Sequence, residues 1–357
     1  MSQQTAFRRA EKQFKARDRQ PDLAKVIDFT AIGTDSVAGV RRLSLSHSLC
    51  SPISLPFKVF AQSRPPAYSI DKHPGLIIIP NPFTDEAQRW IARKCLCDCT
   101  RPPNRTNLDP FFDLPSTSLF ALASNTNNDA EQLGDECRVS SRKNTGTIDP
   151  GITMPKDQFY SRSALPADLL ERLRWCTLGW QYNWTTKLYD LGASEFDSEL
   201  DDLMRSLAIA VTSVSALPHT DKYNESQFVS QAGIINYYDE RTTMAGHVDK
   251  TEENMDAPLI SCSIGLTCVY LIGGSTRDTE PTPILLRSGD VLAMCGESRM
   301  AFHGVPRVLA NTAPSYLTNL DAGNNDAVSG KYPQWHNFAK YMETHRINCN
   351  ARKCLNI

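Results

Sequence analysis

The sequence predicts an α+β chain, mostly β in its core, in which a barrel or double-sheet jelly roll is flanked by helices. Three observations lead to that class. Short apolar runs recur between residues 231 and 308 at roughly 8–12-residue spacing, with Gly-containing turns between them, as in closed or double-sheet β folds. The segment Arg346 to Arg352 alternates strictly: Ile347, Cys349 and Ala351 face one way, and Arg346, Asn348, Asn350 and Arg352 the other. Asp197 to Val214 carries Leu200, Leu203, Met204, Leu207, Ala208 and Val211 at helical spacing, which suits a scaffold helix on the outside of a sheet.

Taken in order, residues 1 to about 24 are polar and mix both charges. Phe7 and Phe14 are seven apart, so a helix sets them on one face. A helix packed on the main domain, a mitochondrial targeting segment and a nucleic-acid-facing arm all fit this stretch. Glu11 and Asp18 weigh against targeting, because transit peptides are poor in acids. Val26-Ile27-Asp28-Phe29 is a short apolar block expected to dock, and residues 30–73 look loop-like. Residues 1–73 therefore read as an N-terminal extension and 74–357 as the compact domain. Leu76-Ile77-Ile78-Ile79, closed by Pro80-Asn81-Pro82, suits a strand buried on both faces. Thr84 then caps a helix with Asp85 and Glu86 in its first turn. That segment carries Cys95, Cys97 and Cys99, whose C-x-C-x-C pattern lacks the C-x₂₋₄-C spacing of structural zinc. We read them as incidental thiols.

Residues 101–165, rich in Pro, Asn, Asp, Ser and Thr, read as a loop-rich insertion, with mobile loops expected at Ser124 to Asp129 and Ser140 to Gly151. Asp168 to Arg174 is helical in pattern. It feeds the aromatic stretch Trp175 to Trp184, where strand alternation puts Trp180, Tyr182 and Trp184 on one face. Trp175, Trp180, Tyr182 and Trp184 are candidate substrate-facing rings, since such a face stacks nucleobases; core packing is the plainer alternative. Gln231 to Tyr238 reads as a strand with Asn236 and Tyr238 on one face. Ile260 to Ile272 reads as one apolar run, followed by Thr282 to Leu286 and Val291 to Met294. Residues 310–334 form a loop, and Trp335 opens a helix through Phe338, Tyr341 and Met342.

Composition sets limits on function. With 41% apolar and 22% charged residues the 357-residue chain is ordinary for a globular protein. A formal net charge of −2 excludes a globally basic nucleic-acid binder, so any polyanion contact must use a local patch. Eleven scattered cysteines without a secretory h-region suggest reduced thiols and an intracellular setting. No apolar run reaches about 18 residues, so no membrane span is expected.

The chemistry centres on Gly246-His247-Val248-Asp249 and His303. Residues at i and i+2 on a strand share a face, so His247 and Asp249 present one imidazole and one carboxylate together. With His303 arriving from another strand they make a 2-His-1-carboxylate set, which binds Fe(II) and leaves positions open for co-substrate and O₂. An isolated H-x-D arises often by chance, but both halves here sit at ends of apolar strands, where a barrel mouth would be. The Arg346 to Arg352 face bears two arginines and two amides. It reads either as a solvated edge or as a slot for a dicarboxylate, which Arg holds bidentately. Beside an open iron site, the expected dicarboxylate is 2-oxoglutarate.

The order Asn236-x-Tyr238, His247-x-Asp249, His303 and Arg346-x₅-Arg352 resembles the AlkB family of Fe(II)/2-oxoglutarate dioxygenases. PGLIIIPNPF at Pro74, LRWCTLGWQYNW at Leu173, GHVDKTE at Gly246, SGDVLAMCGESR at Ser288 and HGVPRVLAN at His303 support the likeness. It runs to about Arg352, with weaker stretches at 101–165 and 312–332. The resemblance implies a double-stranded β-helix core in which His247, Asp249 and His303 are the catalytic iron ligands. It implies that Asn236, Tyr238 and Arg346 hold 2-oxoglutarate, helped by Asn348. Arg352 is grouped with them, although its counterpart often lies nearer metal and substrate. The implied reaction is oxidative demethylation of a methylated base in nucleic acid, serving tRNA modification or DNA repair. The implied substrates are tRNA carrying 1-methyladenosine or 5-methylcytidine, and DNA carrying N6-methyladenine. A protein (histone) demethylase or hydroxylase is the competing enzyme class, and a module with a merely structural metal is the non-enzymatic one. A monomer without membrane attachment is expected, in the nucleus, the mitochondrion or the cytoplasm.

Overall fold

The structure is a computed structural model that describes residues 4–31, 37–126, 138–141, 163–183, 186, 188–190, 194–214 and 227–355. Among these residues, two facing sheets form the core. The larger has eight strands in the order β1 (Val40–Leu43), β2 (Ala67–Ile70), β3 (Leu76–Ile79), β14 (Val291–Met294), β11 (Leu259–Gly265), β16 (His345–Arg352), β9 (Ala232–Asp239) and β6 (Trp175–Gly179). The smaller runs β10 (Met244–His247), β15 (His303–Val308), β12 (Cys268–Ile272) and β13 (Thr282–Leu286). Two short hairpins stand apart, β4 (Val139–Ser140) with β5 (Ser163–Ala164) and β7 (Gln181–Asn183) with β8 (Leu188–Asp190). The paired strands of both large sheets are antiparallel, and together they give the expected double-sheet jelly roll.

Strand alternation sorts the residues into layers. On β16, Ile347, Cys349 and Ala351 join the core behind the larger sheet, as predicted. That core is closed by α2 (Asp85–Arg93), α3 (Leu119–Thr126), α5 (Ser198–Thr212) and α6 (Trp335–Thr344), which contribute Trp90, Phe120, Met204 and Phe338. Leu76, Ile78, Leu292 and Met294 point the other way, into the space between the sheets, with Tyr238, Tyr270 and Val305. Both β3 and β14 are buried along their whole length for this reason.

Helix ends follow their caps. The Thr84 hydroxyl accepts from the Ala87 amide, and Asp85 and Glu86 complement the positive end of α2. A π-helical turn, Lys94–Asp98, continues α2 and buries Cys95 and Cys97. Burial pushes the Cys97 thiol up to about 12, so it stays protonated. The metal-capable cluster found among the described residues contains no cysteine.

The N-terminal helix α1 (Ala6–Lys15) covers the outer face of the smaller sheet. Phe7 and Phe14 lie on its buried face against Val269, Leu271 and Leu285, as their spacing predicts. Phe7 is fully buried and lies so close to Gly246 that a Cβ there would come within 2.4 Å of the ring. Removing it should therefore loosen the helix. Phe7→Ala is expected to cost roughly 3–5 kcal/mol of packing, read as faster amide exchange across residues 6–15.

Several expectations are corrected. Residues 30–73 are not simply loop: β1 and β2 lie there and pair in register, and β2 pairs with β3. The boundary drawn at 73/74 thus runs between paired strands. The run from Ile260 to Ile272 is two strands in different sheets. Gly265, at φ +94°, turns the chain between them, and a Cβ there would sit 2.4 Å from the His345 carbonyl oxygen. The helix expected at Asp168 to Arg174 is α4 (Pro166–Leu170), shorter and earlier. Of the loop expected at Ser124 to Asp129, residues 124–126 end α3 and the rest lies outside the described residues, as does nearly all of that expected at Ser140 to Gly151.

Candidate active site

Strands β10 and β15 lie side by side with His247 opposite His303, and Asp249 follows just past the end of β10. Each histidine Nδ1 faces a backbone carbonyl two residues back, Ala245 O at 2.9 Å and Ala301 O at 3.1 Å. A carbonyl only accepts, so Nδ1 carries the proton, and in the neutral ring Nε2 keeps its lone pair. Both Nε2 atoms face the Asp249 carboxylate, at 3.9 Å from His247 and 3.7 Å from His303. One ligand atom from each of the three residues falls within 4.8 Å of the others.

Electrostatics prepare these donors. Burial, aided by the neighbouring His247, brings the His303 pKa down to about 4, so its ring is neutral at pH 7. Burial opposes ionisation of Asp249, but Arg352, His303 and His247 outweigh it and hold the carboxyl well below its ordinary range. His247 is the exposed member, with 37% of its side chain accessible against 10% for His303. The site is therefore open on the His247 side.

Behind the three donors lies a cavity of about 60 Å³. Asn236 and Tyr238 reach it from β9, and Arg346 and Asn348 from β16, where Asn236 pairs with Asn348 and Tyr238 with Arg346. Arg346 is 1% exposed. Its guanidinium donates to the Leu266 and Leu286 carbonyls at 3.0 and 3.2 Å and to the Ser263 hydroxyl at 2.6 Å. Its Nε has no hydrogen-bond partner, and no ion pair to it is found among the described residues. Asn348 donates to the Ser261 hydroxyl at 2.7 Å. Tyr270, Leu292 and Met294 supply an apolar wall.

Other predicted residues lie elsewhere. Arg352, grouped from sequence with the 2-oxoglutarate residues, is not in the cavity wall. It pairs with Glu252 at 2.7 Å and with the Asp249 carboxylate at 3.5 Å. Strand pairing explains this: Arg352 is six residues from Arg346 along β16, opposite Ala232 rather than Tyr238. The stretch from Trp175 is not one strand: Gly179, at φ +63°, separates β6 from β7 and so parts Trp175 from Trp180 and Tyr182. Trp175, Trp180 and Tyr182 are half-buried outside the cavity wall, and Trp184 lies outside the described residues. Glu252 and Arg299 were missed. Neither belongs to a periodic pattern, although both prove buried and charged; Glu252 follows Asp249 by three residues.

Similarity to known proteins points to the same chemistry. A family model described as the 2OG-Fe(II) oxygenase superfamily matches residues 130–352. The tRNA demethylase abh1 of Schizosaccharomyces pombe is 32% identical, covering 99% of this chain and 97% of that protein. The DNA N(6)-methyladenine demethylase ALKBH1A of Arabidopsis thaliana is 29% identical, covering 98% and 96%. The nucleic acid dioxygenase ALKBH1 of Homo sapiens is 30% identical, covering 98% and 84%. The residues present fit the groups this family uses. Two imidazole nitrogens and a carboxylate converge as an iron(II) donor set, and beside them lies a buried arginine that has no ion-pair partner among the described residues and suits an anion. The chain belongs to the 2OG-Fe(II) oxygenase superfamily, within its AlkB homologue 1 branch, and is an oxidoreductase that works with Fe(II), 2-oxoglutarate and dioxygen.

Proposed function

We propose that the protein is an oxidative demethylase of methylated bases in nucleic acid, with tRNA as its foremost substrate and DNA N6-methyladenine as a second. The observation that carries this reading is the near full-length similarity to the S. pombe tRNA demethylase, joined to a donor triad that opens to solvent at His247. His247, Asp249 and His303 are the residues that would hold iron. Arg346, with Asn236, Tyr238 and Asn348, would hold 2-oxoglutarate. With both bound and O₂ present, the centre supplies hydroxylation of a C–H bond, coupled to oxidation of 2-oxoglutarate to succinate and CO₂.

The chain's own residues set the geometry. The Ala245 and Ala301 carbonyls fix the two imidazoles with Nε2 forward. The Leu266 and Leu286 carbonyls aim the Arg346 fork at the cavity. Tyr270, Leu292 and Met294 keep water from the apolar side. The substrate base enters past His247 and must leave its stack to do so, which costs least in loops and unpaired strands. Hydroxylation of an N-methyl carbon leaves a C–N bond that breaks to release formaldehyde and restore N–H.

Mass spectrometry of nucleosides from bulk tRNA and DNA, after incubation with protein, Fe(II) and 2-oxoglutarate, tests this. The expected result is a fall in 1-methyladenosine or another methylated nucleoside, with formaldehyde formed in step. Formaldehyde release from methylated peptide but not from methylated tRNA or DNA would move the protein to the protein-modifying class.

A further inference from the structure

The Glu252 side chain is fully enclosed, yet it carries charge and lies three residues past Asp249. Its Oε1 accepts from the Arg352 guanidinium at 2.7 Å and from the Tyr189 hydroxyl at 2.9 Å; Arg299 reaches its Oε2 at 3.4 Å. Both arginines also touch Asp249. Arg352 lies 3.5 Å from its carboxylate, and Arg299 donates to its backbone carbonyl at 3.3 Å. Two cations and two carboxylates thus close a buried, charge-balanced unit around Asp249. A lone buried cation would be strongly unfavourable, so Glu252 decides where each guanidinium sits.

The distances give the direction of the effect. Arg352 is nearer Glu252, at 2.7 Å, than Asp249, at 3.5 Å. Helped by Asn350, whose Oδ1 accepts from Nη2 at 2.9 Å, Glu252 therefore holds that guanidinium back from Asp249 through its Nη1. Without it, Arg352 would keep Asp249 as its sole carboxylate partner among the described residues, and would close on the oxygen that a metal needs. Tyr189 extends the unit outward. Its ring packs on Tyr182 across the β7–β8 hairpin, at 5.2 Å between centroids, and Leu188 beside it is 67% exposed. The hairpin is thereby tied to the carboxylate through two hydrogen bonds and one ion pair.

We propose that Glu252 is a positioning residue for Asp249, acting through Arg352 and Arg299, and that Tyr189 couples the β7–β8 hairpin to the same carboxylate. This rests on the reading of Asp249 as a metal ligand.

The test is titration of Co(II) into the full-length protein, followed by the visible absorption of the bound ion, with melting temperature measured in parallel. Glu252→Gln is expected to weaken Co(II) binding about 10–100-fold, the usual penalty for losing a partner behind a metal ligand. Tyr189→Phe keeps the ring and removes one hydrogen bond, and should weaken binding about 2–10-fold. Asp326→Asn removes a buried carboxylate held by Arg89 and Arg93 far along the chain. It should lower the melting temperature and leave Co(II) affinity unchanged. Folded Glu252→Gln that binds Co(II) like wild type overturns the proposal, and so does an equal loss of affinity in Asp326→Asn. If Glu252→Gln does not fold, Tyr189→Phe decides: wild-type affinity there overturns the proposal. His247→Ala separates the two levels, since retained Co(II) binding in that variant would instead remove the metal site itself.

Discussion

His247→Ala is expected to reduce succinate formation, with methylated tRNA, Fe(II) and 2-oxoglutarate present, to the level of a protein-free control. The ring is one of three donors, and no other histidine or acid joins the metal-capable cluster among the described residues. A two-donor site neither holds iron firmly nor fixes the open positions. The substitution separates function from folding well, because 37% of the His247 side chain is already exposed. Little apolar packing is lost, so stability should change by no more than about 0.5–1 kcal/mol. The check is paired: succinate by mass spectrometry and melting temperature by circular dichroism on the same sample. Full turnover by a folded His247→Ala protein would remove the triad as the reaction centre.

What could be read from sequence followed periodicity. The strict alternation of residues 346–352 placed Ile347, Cys349 and Ala351 in the core and left the polar face to the cavity side, because a buried strand admits only one register there. His247 and Asp249 were legible as a pair for the same reason, and Phe7 with Phe14 from the helical period. The failures fall where a single backbone position overrides a pattern. Gly265 and Gly179 adopt positive φ, and each cut an apparently continuous strand in two. The edge strand β1 was hidden because its central residues, Arg41 and Arg42, are exposed and give no apolar signal. Arg352, grouped with Arg346 although its counterpart in the resembled family lies nearer the metal, sits beside Asp249 and outside the cavity wall. Sharing a strand face does not mean sharing a partner, and the acid that claims Arg352 lies 100 residues away in the sequence. Glu252 and Arg299 carry no periodic signal; their burial exists only once residues 249–255, the turn Gly296–Met300 and strands β8 and β16 have met.

Arg346→Gln should show its largest effect on 2-oxoglutarate. In the folded protein the Arg346 charge is met by two carbonyls and a hydroxyl, all neutral. The nearby Asp290 is a poor counter-charge, since burial pushes its carboxyl up to about 7 despite amide hydrogen bonds from Arg287 and Asn81 and the attraction of Arg346. A buried cation in that state is costly without an anion and rewards one that arrives. The far carboxylate of 2-oxoglutarate is such an anion, and charged hydrogen bonds of about 1.5–3 kcal/mol correspond to roughly 10–100-fold in affinity. The KM for 2-oxoglutarate is therefore expected to rise by about that factor in Arg346→Gln. Two further readings make the result specific. Co(II) binding should survive, because Arg346 is not among the metal-capable residues. Added 2-oxoglutarate should raise the melting temperature of wild type through binding to the folded state, and should fail to do so in the variant at the same concentration. Equal protection of both proteins by 2-oxoglutarate would place the dicarboxylate elsewhere and leave Arg346 as a cross-link between β11, β13 and β16.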